Sequence, residues 1–263
     1  NVFSEREYGI SFTVLYIIVL LLFNVIYKLL KSTIAKSAPP PMKTPAILLH
    51  KTDAMARILT LVSRAYTHWT AGQIDAKKLA AFTLKLTDRY HIDATTMQRY
   101  RAKQKGQANS ELVLLQGEDN RIHWWLLATP GEGLVQQMET LADATDKKTR
   151  ITMPGQDYEL VMTPRKGLRA SWTWRMTQAT EQAWGERFKT AIRHKNDQAI
   201  RQALDSLRRV PGFREARAQA FAIEAAAKGE WQRSGKGEWP YPGVFVRFQG
   251  RFKTAASKPV RGR

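Results

Sequence analysis

The first pattern along this chain is an unbroken one. From Tyr8 to Tyr27 there is no charged residue, and the run is mostly Ile, Leu, Val and Phe. As a helix rising about 1.5 Å per residue it would be about 30 Å long, the thickness of a bilayer's hydrocarbon core. It is apolar on every face, whereas a helix at a globular surface keeps a polar stripe. Ser4, Glu5, Arg6 and Glu7 precede it in place of a basic cluster, and no small-x-small cleavage site follows. The run also exceeds the ~7 to 15 apolar residues of a secretion signal, so the expectation is a retained transmembrane helix over residues 8–31 behind a short extracytoplasmic N-terminus, residues 1–7. Lys28, Lys31, Lys36, Lys43 and Lys51 follow it and only Arg6 precedes it. That asymmetry predicts an N-terminus outside and the rest in the cytoplasm. Asn24, the strongly polar residue inside the run, would face a partner helix or interfacial water.

Beyond the run the pattern becomes periodic. Residues 32–43 contain Pro39, Pro40 and Pro41 and read as an extended linker, because consecutive prolines favour polyproline II. Residues 44–110 read as helical. Asp53 is a candidate cap for Met55, Ile58, Leu59, Val62 and Tyr66, with Gly72 beyond the helix end; Asp75 precedes Leu79, Phe82, Leu84 and Leu86, and Asp93 precedes a third helix through Tyr100. Residues 111–177 change period. Glu111–Leu115 and His123–Thr129 flank a turn-forming cluster at Gly117–Asn120, and Tyr158–Thr163 and Ser171–Thr177 flank Pro164–Gly167, so each pair reads as a hairpin. Leu134, Val135, Met138 and Leu141 mark a helix between the hairpins. Residues 178–263 return to helical spacing over 178–195, 197–209 and 213–231, then a strand over Val244–Phe248 and a tail. The expected fold is α+β: one transmembrane helix, then a soluble domain whose small, mainly antiparallel sheet is flanked by helices.

Charge then separates these regions. The chain carries 42 Lys and Arg against 23 Asp and Glu, a net charge of +19. Residues 28–110 hold 15 cations against 4 acids, residues 111–163 hold 4 against 9, and residues 164–263 hold 22 against 8. Two basic regions flank an acidic centre. An excess of this size repels itself in a compact domain, and a polyanion that releases counterions on binding is the partner that accounts for it. The cations expected to bind nucleic acid are Arg99, Arg101, Lys103 and Lys105, then Arg208, Arg209, Arg214 and Arg217. Towards the C-terminus Trp231, Arg233, Lys236, Trp239, Arg247, Arg251 and Lys253 mix cations with rings suited to stacking on bases. Lys28, Lys31, Lys36 and Lys43 lie close enough to the apolar run to meet an anionic lipid surface instead. The tetrapeptide Lys228–Trp231 recurs as Lys236–Trp239, and two copies fall short of a repeat architecture.

Patterns for chemistry are sparse. The chain has no cysteine, which removes thiol nucleophiles, thiolate metal sites and disulfides. The histidines, His50, His68, His91, His123 and His194, are too scattered for a local zinc spacing, and there is no phosphate loop of the GxxxxGK[ST] type. Asp157 and Glu159 before Arg165 and Lys166 are the nearest approach to a nuclease constellation, and Asp88, His91 and Asp93 the densest titratable group. Gly131 and Gly133 at a helix start could present backbone N–H groups to an anion, or make a plain strand-to-helix turn. The expectation is a protein without a cofactor and without enzymatic activity.

His68–Ala108 with its Asp88, Arg89, Tyr90 and Arg99–Lys103 runs, His123–Leu127 through Gly131–Gly133, and the strand Ser171–Thr177 together resemble uncharacterised tryptophan-rich proteins of bacterial plasmids and integrative conjugative elements. The resemblance covers most of the chain after the linker, lies in texture instead of a catalytic motif, and does not include a membrane helix. It implies a mobile-element setting, and for the anchored chain a bacterial inner membrane. The combined expectation is a membrane-anchored protein that binds nucleic acid through its phosphate backbone with low sequence selectivity. The alternatives are a structural subunit among other membrane proteins of a conjugation, secretion or defence complex, and a membrane-tethered nuclease.

Overall fold

The computed structural model describes residues 45–235 and 237–250 and the backbone of residues 257 and 258. The elements are β1 (Ile47–Leu48), α1 (Lys51–Val62), β2 (His68–Asp75), a single 3-10 turn (Ala76–Lys78), α2 (Leu79–Tyr90), α3 (Thr96–Gln104), β3 (Ser110–Gln116) and β4 (Arg121–Ala128). There follow α4 (Leu134–Met138), β5 (Ala142–Asp143), β6 (Tyr158–Arg165), β7 (Leu168–Met176), α5 (Gln178–Arg193), α6 (Asp197–Leu207), α7 (Arg214–Arg233) and β8 (Ser257–Lys258). Residues Thr44–Arg263 form one compact unit.

The expected fold class needs correcting in two respects. The α+β character holds, but among the described residues no helix is long and apolar enough to cross a membrane. The longest, α7, carries Arg214, Arg217, Lys228 and Arg233 besides three glutamates, and charges on that scale keep a helix out of hydrocarbon. Residues 8–31, where the transmembrane helix was expected, lie outside the described residues, as do the linker 32–43 and Lys28, Lys31, Lys36 and Lys43. The sheet is also larger than expected. Six strands pair in the order β5-β2-β4-β3-β1-β8, mixed because β1 runs parallel to β3, and β6 and β7 form a separate antiparallel ribbon.

The correction starts at β2. His68–Asp75 sits in the stretch read as helical, yet it pairs along its whole length with β4, from His68 opposite Ala128 to Asp75 opposite Arg121. Gly72, read as lying past a helix end, is in mid-strand, and a Cβ there would stand 2.7 Å from the Trp124 ring. The glycine makes room for that indole, which packs 5.1 Å from the Phe82 ring. Cap assignments shift for similar local reasons. His50, not Asp53, is the N-cap of α1, and Thr95, not Asp93, caps α3 in a capping box with Gln98. Asp75 does accept from the Lys77 N–H, but it caps the 3-10 turn ahead of α2.

Both faces of the sheet are covered, which is why β3 and β4 read as nearly continuous apolar runs. Leu112, Leu114, Ile122 and Leu126 face α2 and α4, where Leu79, Leu86, Tyr90 and Val135 complete a smaller core. Val113, Leu115, Trp125 and Leu127 face the other way into a larger core with Met55, Ile58 and Leu61 of α1. The β6–β7 ribbon lies over α1, its buried Trp174 donating from Nε1 to the Met55 carbonyl at 2.8 Å. The helices α5, α6 and α7 close the far side of that core through Phe188, Ile192, Leu204, Leu207, Ala220 and Ile223. Gln219 of α7 binds the ribbon edge twice, accepting from the Met176 N–H and donating to its carbonyl.

The strand expected over Val244–Phe248 is in no sheet. After α7 the chain turns back along the helix. Trp239 packs against Trp231, Val244 donates its N–H to Glu224, Val246 accepts from Arg217 Nε, and Gln249 donates to the Gly212 carbonyl. Seven steps along the strap, from 239 to 246, thus cover the fourteen from 231 to 217 along α7. That holds only for a nearly extended chain, at about 3.3 Å per residue against 1.5 Å. This strap, residues 238–250, keeps the alternation of a strand, with Val244 and Val246 buried and Phe245 and Arg247 exposed. Apart from the Gly212 carbonyl, its backbone partners are side chains of α7 and of Arg208, so it has no ladder to join.

Candidate nucleic-acid interface

The first group of expected cations sits on α3. That helix has no buried residue, and it is held by one of its own cations. Arg99 donates to the carbonyls of Ala94 and Ile92 and to Tyr66 Oη, and pairs with Glu111, which Arg57 also binds. Arg99 is therefore a structural arginine, sharing the Glu111 carboxylate with Arg57. Arg101, Lys103 and Lys105 are exposed and remain available to a ligand. Cations in and just after the last turn also sit well against the helix's negative end.

The second group converges on the start of α7. Arg208 is engaged, pairing with Asp205 and donating to the Pro242 carbonyl of the strap, and Arg209 beside it is exposed. Arg214 donates to Thr163 of β6 and pairs with Glu215. Arg217 lies between rings, its guanidinium 5.8 Å from the Phe221 centroid and 5.6 Å from that of Phe248 while Nε holds the Val246 carbonyl. Arg247 is exposed on the strap, over Gly212. Arg233 pairs with Glu230 at the other end of α7, and together with Arg193 it holds the Glu230 carboxyl below the ordinary carboxylate range. Lys236, Arg251 and Lys253 lie outside the described residues.

Trp231 and Trp239 take a different place from the one expected. Trp231 is buried and donates from Nε1 to the Glu238 carbonyl, while Trp239 is half-buried against it with the rings edge to face at 5.7 Å. Tyr241 completes the cluster, 4.9 Å from Trp239 and 5.7 Å from Trp231. The duplicated tetrapeptide thus supplies both indoles of one packing cluster, which pins the strap to the C-terminal half of α7. The exposed rings are others: Phe245 at 73%, Phe248 at 63% and Phe221 at 39%.

The contacts also add residues that are not among the expected nucleic-acid contacts. Arg165, Lys166 and Arg169 at the β6–β7 turn are exposed, with Met162 and Leu168 beside them. The Arg214–Thr163 bond brings the base of this hairpin to the first turn of α7, and the Gly212 contact brings the strap there too. One surface therefore carries Arg165, Lys166, Arg169, Arg214, Arg217 and Arg247. The run Arg165-Lys166-Gly167-Leu168-Arg169 was legible as a basic turn; its neighbours were not, since about 50 to 80 residues separate them in the chain.

The acids of the nuclease-like constellation are occupied. Lys51 binds Asp157, and Glu159 lies between Arg150 and Arg175. Among the described residues no group of three or more His, Asp and Glu is placed to hold a metal ion. His91 is the left-handed C-cap of α2, at φ 51°, and its N–H is bonded to the Thr87 carbonyl. The backbone of Glu132 is bonded to Gly106 and Ala108, so the glycines beside it serve a turn, and α4 after them is only five residues long. His123, on the larger-core face of β4 near Lys51, is pushed below the usual imidazole value by burial and then by that ammonium. Comparison of the chain with protein-family models, with curated proteins and with solved structures gives no match.

Proposed function

We propose that this protein binds nucleic acid, holding the phosphate backbone with little sequence selectivity, in the mobile-element setting that its tryptophan-rich texture suggests. The observation that carries the reading is the surface shared by the β6–β7 turn, the first turns of α7 and the strap. Six cations from three distant parts of the chain lie there, and Arg214 and Arg217 are held in place by contacts to Thr163 and Val246. Positioned arginines suit phosphate because the guanidinium offers planar, paired donors. Glu215 already offsets Arg214, so the attraction for phosphate rests on the other five cations. Of the eight acids after residue 163, Glu186, Asp197, Asp205, Glu215, Glu224 and Glu230 are each in an ion pair within the same region. The exposed Arg101, Lys103 and Lys105 of α3 supply a further contact.

Binding governed by phosphate releases counterions, so affinity must fall steeply with salt. Fluorescence anisotropy with the full chain and a labelled mixed-sequence oligonucleotide, at a series of salt concentrations, measures this. Each phosphate contact contributes about one to the slope of log affinity against log salt. Changing Arg165→Glu, Lys166→Glu and Arg169→Glu together is expected to lower the slope by about three and the affinity at low salt by tenfold or more. Affinity indifferent to salt, or unchanged in the triple variant, would refute the proposal.

A second reading, a subunit of a multi-protein assembly, is favoured by the edge of β2. β5 pairs with His68 and Trp69, and among the described residues no strand pairs with that edge over Ala71–Asp75, which suits it to an added strand. Co-purification of protein partners after nuclease treatment, lost on placing Pro at Gln73, tests that role.

A further inference from the structure

We infer that the strap beside α7 is a path for a single strand, with unpaired bases stacking on Phe245 and Phe248 while Arg217 and Arg247 hold the flanking phosphates. The inference rests on the nucleic-acid reading and names the form of nucleic acid that this surface takes. Three observations carry it.

The rings are displayed to solvent, Phe248 with the Arg217 guanidinium against it. Phe245 at 73% and Phe248 at 63% are among the most exposed large apolar side chains of the described residues, on a strap whose other positions Val244 and Val246 are buried. Alternation of the extended chain holds Phe245 outward as firmly as it holds its neighbours inward. The rings are also interleaved with cations. Arg217 stands between Phe221 and Phe248, and Arg247 lies between Phe245 and Phe248 in the chain. Finally, the backbone beneath them is fixed, through Glu224, Arg217 and Gly212. Rings held on a fixed backbone lose little freedom when a base covers them.

The choice between one strand and two follows from what each presents. In a duplex the bases cover one another's faces and offer only their edges and the phosphates, so exposed phenyl rings gain nothing from it. Unpaired bases offer free faces, and a surface alternating rings with cations matches the alternation of base and phosphate along one strand. The β6–β7 turn, with Arg165, Lys166 and Arg169 and no aromatic residue, is the part of the surface that either form would meet.

The test compares the full chain, as wild type and as the Phe245→Ala/Phe248→Ala double variant, on oligo-dT of about 20 nucleotides and on a duplex of equal length. The wild type is expected to prefer the single strand. The double variant should lose about tenfold or more on the single strand and less than about threefold on the duplex, with an unchanged melting temperature because both rings are exposed. Phe245→Trp/Phe248→Trp should restore single-strand affinity. Equal losses on both forms, no loss on the single strand, or a preference for duplex would overturn the inference while leaving the nucleic-acid reading in place. A wild type that binds neither form at low salt, whether or not it binds anionic vesicles, would remove that reading and the inference with it.

Discussion

At the scale of single residues, the strap depends on one absent side chain. A Cβ at Gly212 would lie 1.8 Å from the Arg247 carbonyl oxygen and 2.8 Å from the Gln249 nitrogen, both of them backbone atoms with no rotamer to escape into. The demand here is for space. Gly212→Ala must push the strap off the start of α7 and break the Gln249 to Gly212 bond. Overpacking of this kind costs about 1 to 3 kcal/mol. Urea denaturation should show a loss in that range, and amide exchange at Gln249 should quicken; stability and exchange equal to wild type would contradict the geometry. Glu224 is the complementary residue, buried, with Oε2 accepting from the Val244 N–H and Oε1 paired with Lys228 at 2.9 Å. Arg99 shows how the same chemistry can be used inward: an arginine that counts towards +19 is consumed in tying α3 to β3.

Among elements, the attachment of the strap to α6 predicts a pH response. Tyr241 donates its hydroxyl to Asp197, the first residue of α6, and Arg201 stands 5.2 Å from its ring. Burial first, and then the Asp197 carboxylate, raise the phenol from 10.0 to about 12. The folded state therefore holds its proton more tightly than the unfolded chain does. The stability that follows is complete below pH about 10 and is lost as pH rises towards about 12, the window between the two values. Tyr241→Phe removes this linkage. Denaturation midpoints between about pH 9 and 12 should fall more steeply for wild type than for Tyr241→Phe, and parallel curves would exclude a role for this hydroxyl. The ribbon is tied in more deeply. Trp174 fills the space over α1 while its indole N–H meets the Met55 carbonyl, so packing and hydrogen bonding there rest on one side chain.

For the whole molecule the dominant quantity is the net charge of +19. Local ion pairs favour low salt, whereas self-repulsion among the remaining cations favours high salt, and the two can be weighed. Most of the pairs join partly exposed side chains, where each contributes about 0 to 1 kcal/mol. The excess of cations acts over the entire surface, within a Debye length of about 10 Å at 0.1 M salt. Repulsion should win. In the absence of any polyanion, the melting temperature of the full chain is expected to rise by several degrees between about 20 and 200 mM sodium chloride. A melting temperature that falls with salt would mean that the ion pairs outweigh the repulsion.

Sequence alone determined what depends on neighbours in the chain. Hydrophobic period placed α5, α6, α7 and both hairpins to within a few residues, because helices and hairpins are closed by contacts three, four or a few residues apart. Composition determined the sign of the surface and the absence of thiol chemistry. Tertiary structure decided what depends on distant partners. Residues 68–75 became a strand because β4 offered a full ladder and Gly72 admitted Trp124, and Val244–Phe248 joined no sheet because a helix, not a strand, lay within its reach. It also sorted equal-looking residues into different tasks. Arg99 went inward to Glu111 while Arg101 stayed exposed, and Trp231 went into the core while Phe248 stayed outside. Periodicity carries no record of such choices, since burial at one position is settled by side chains that arrive from beyond its own helix or strand, as Trp124 does over Gly72.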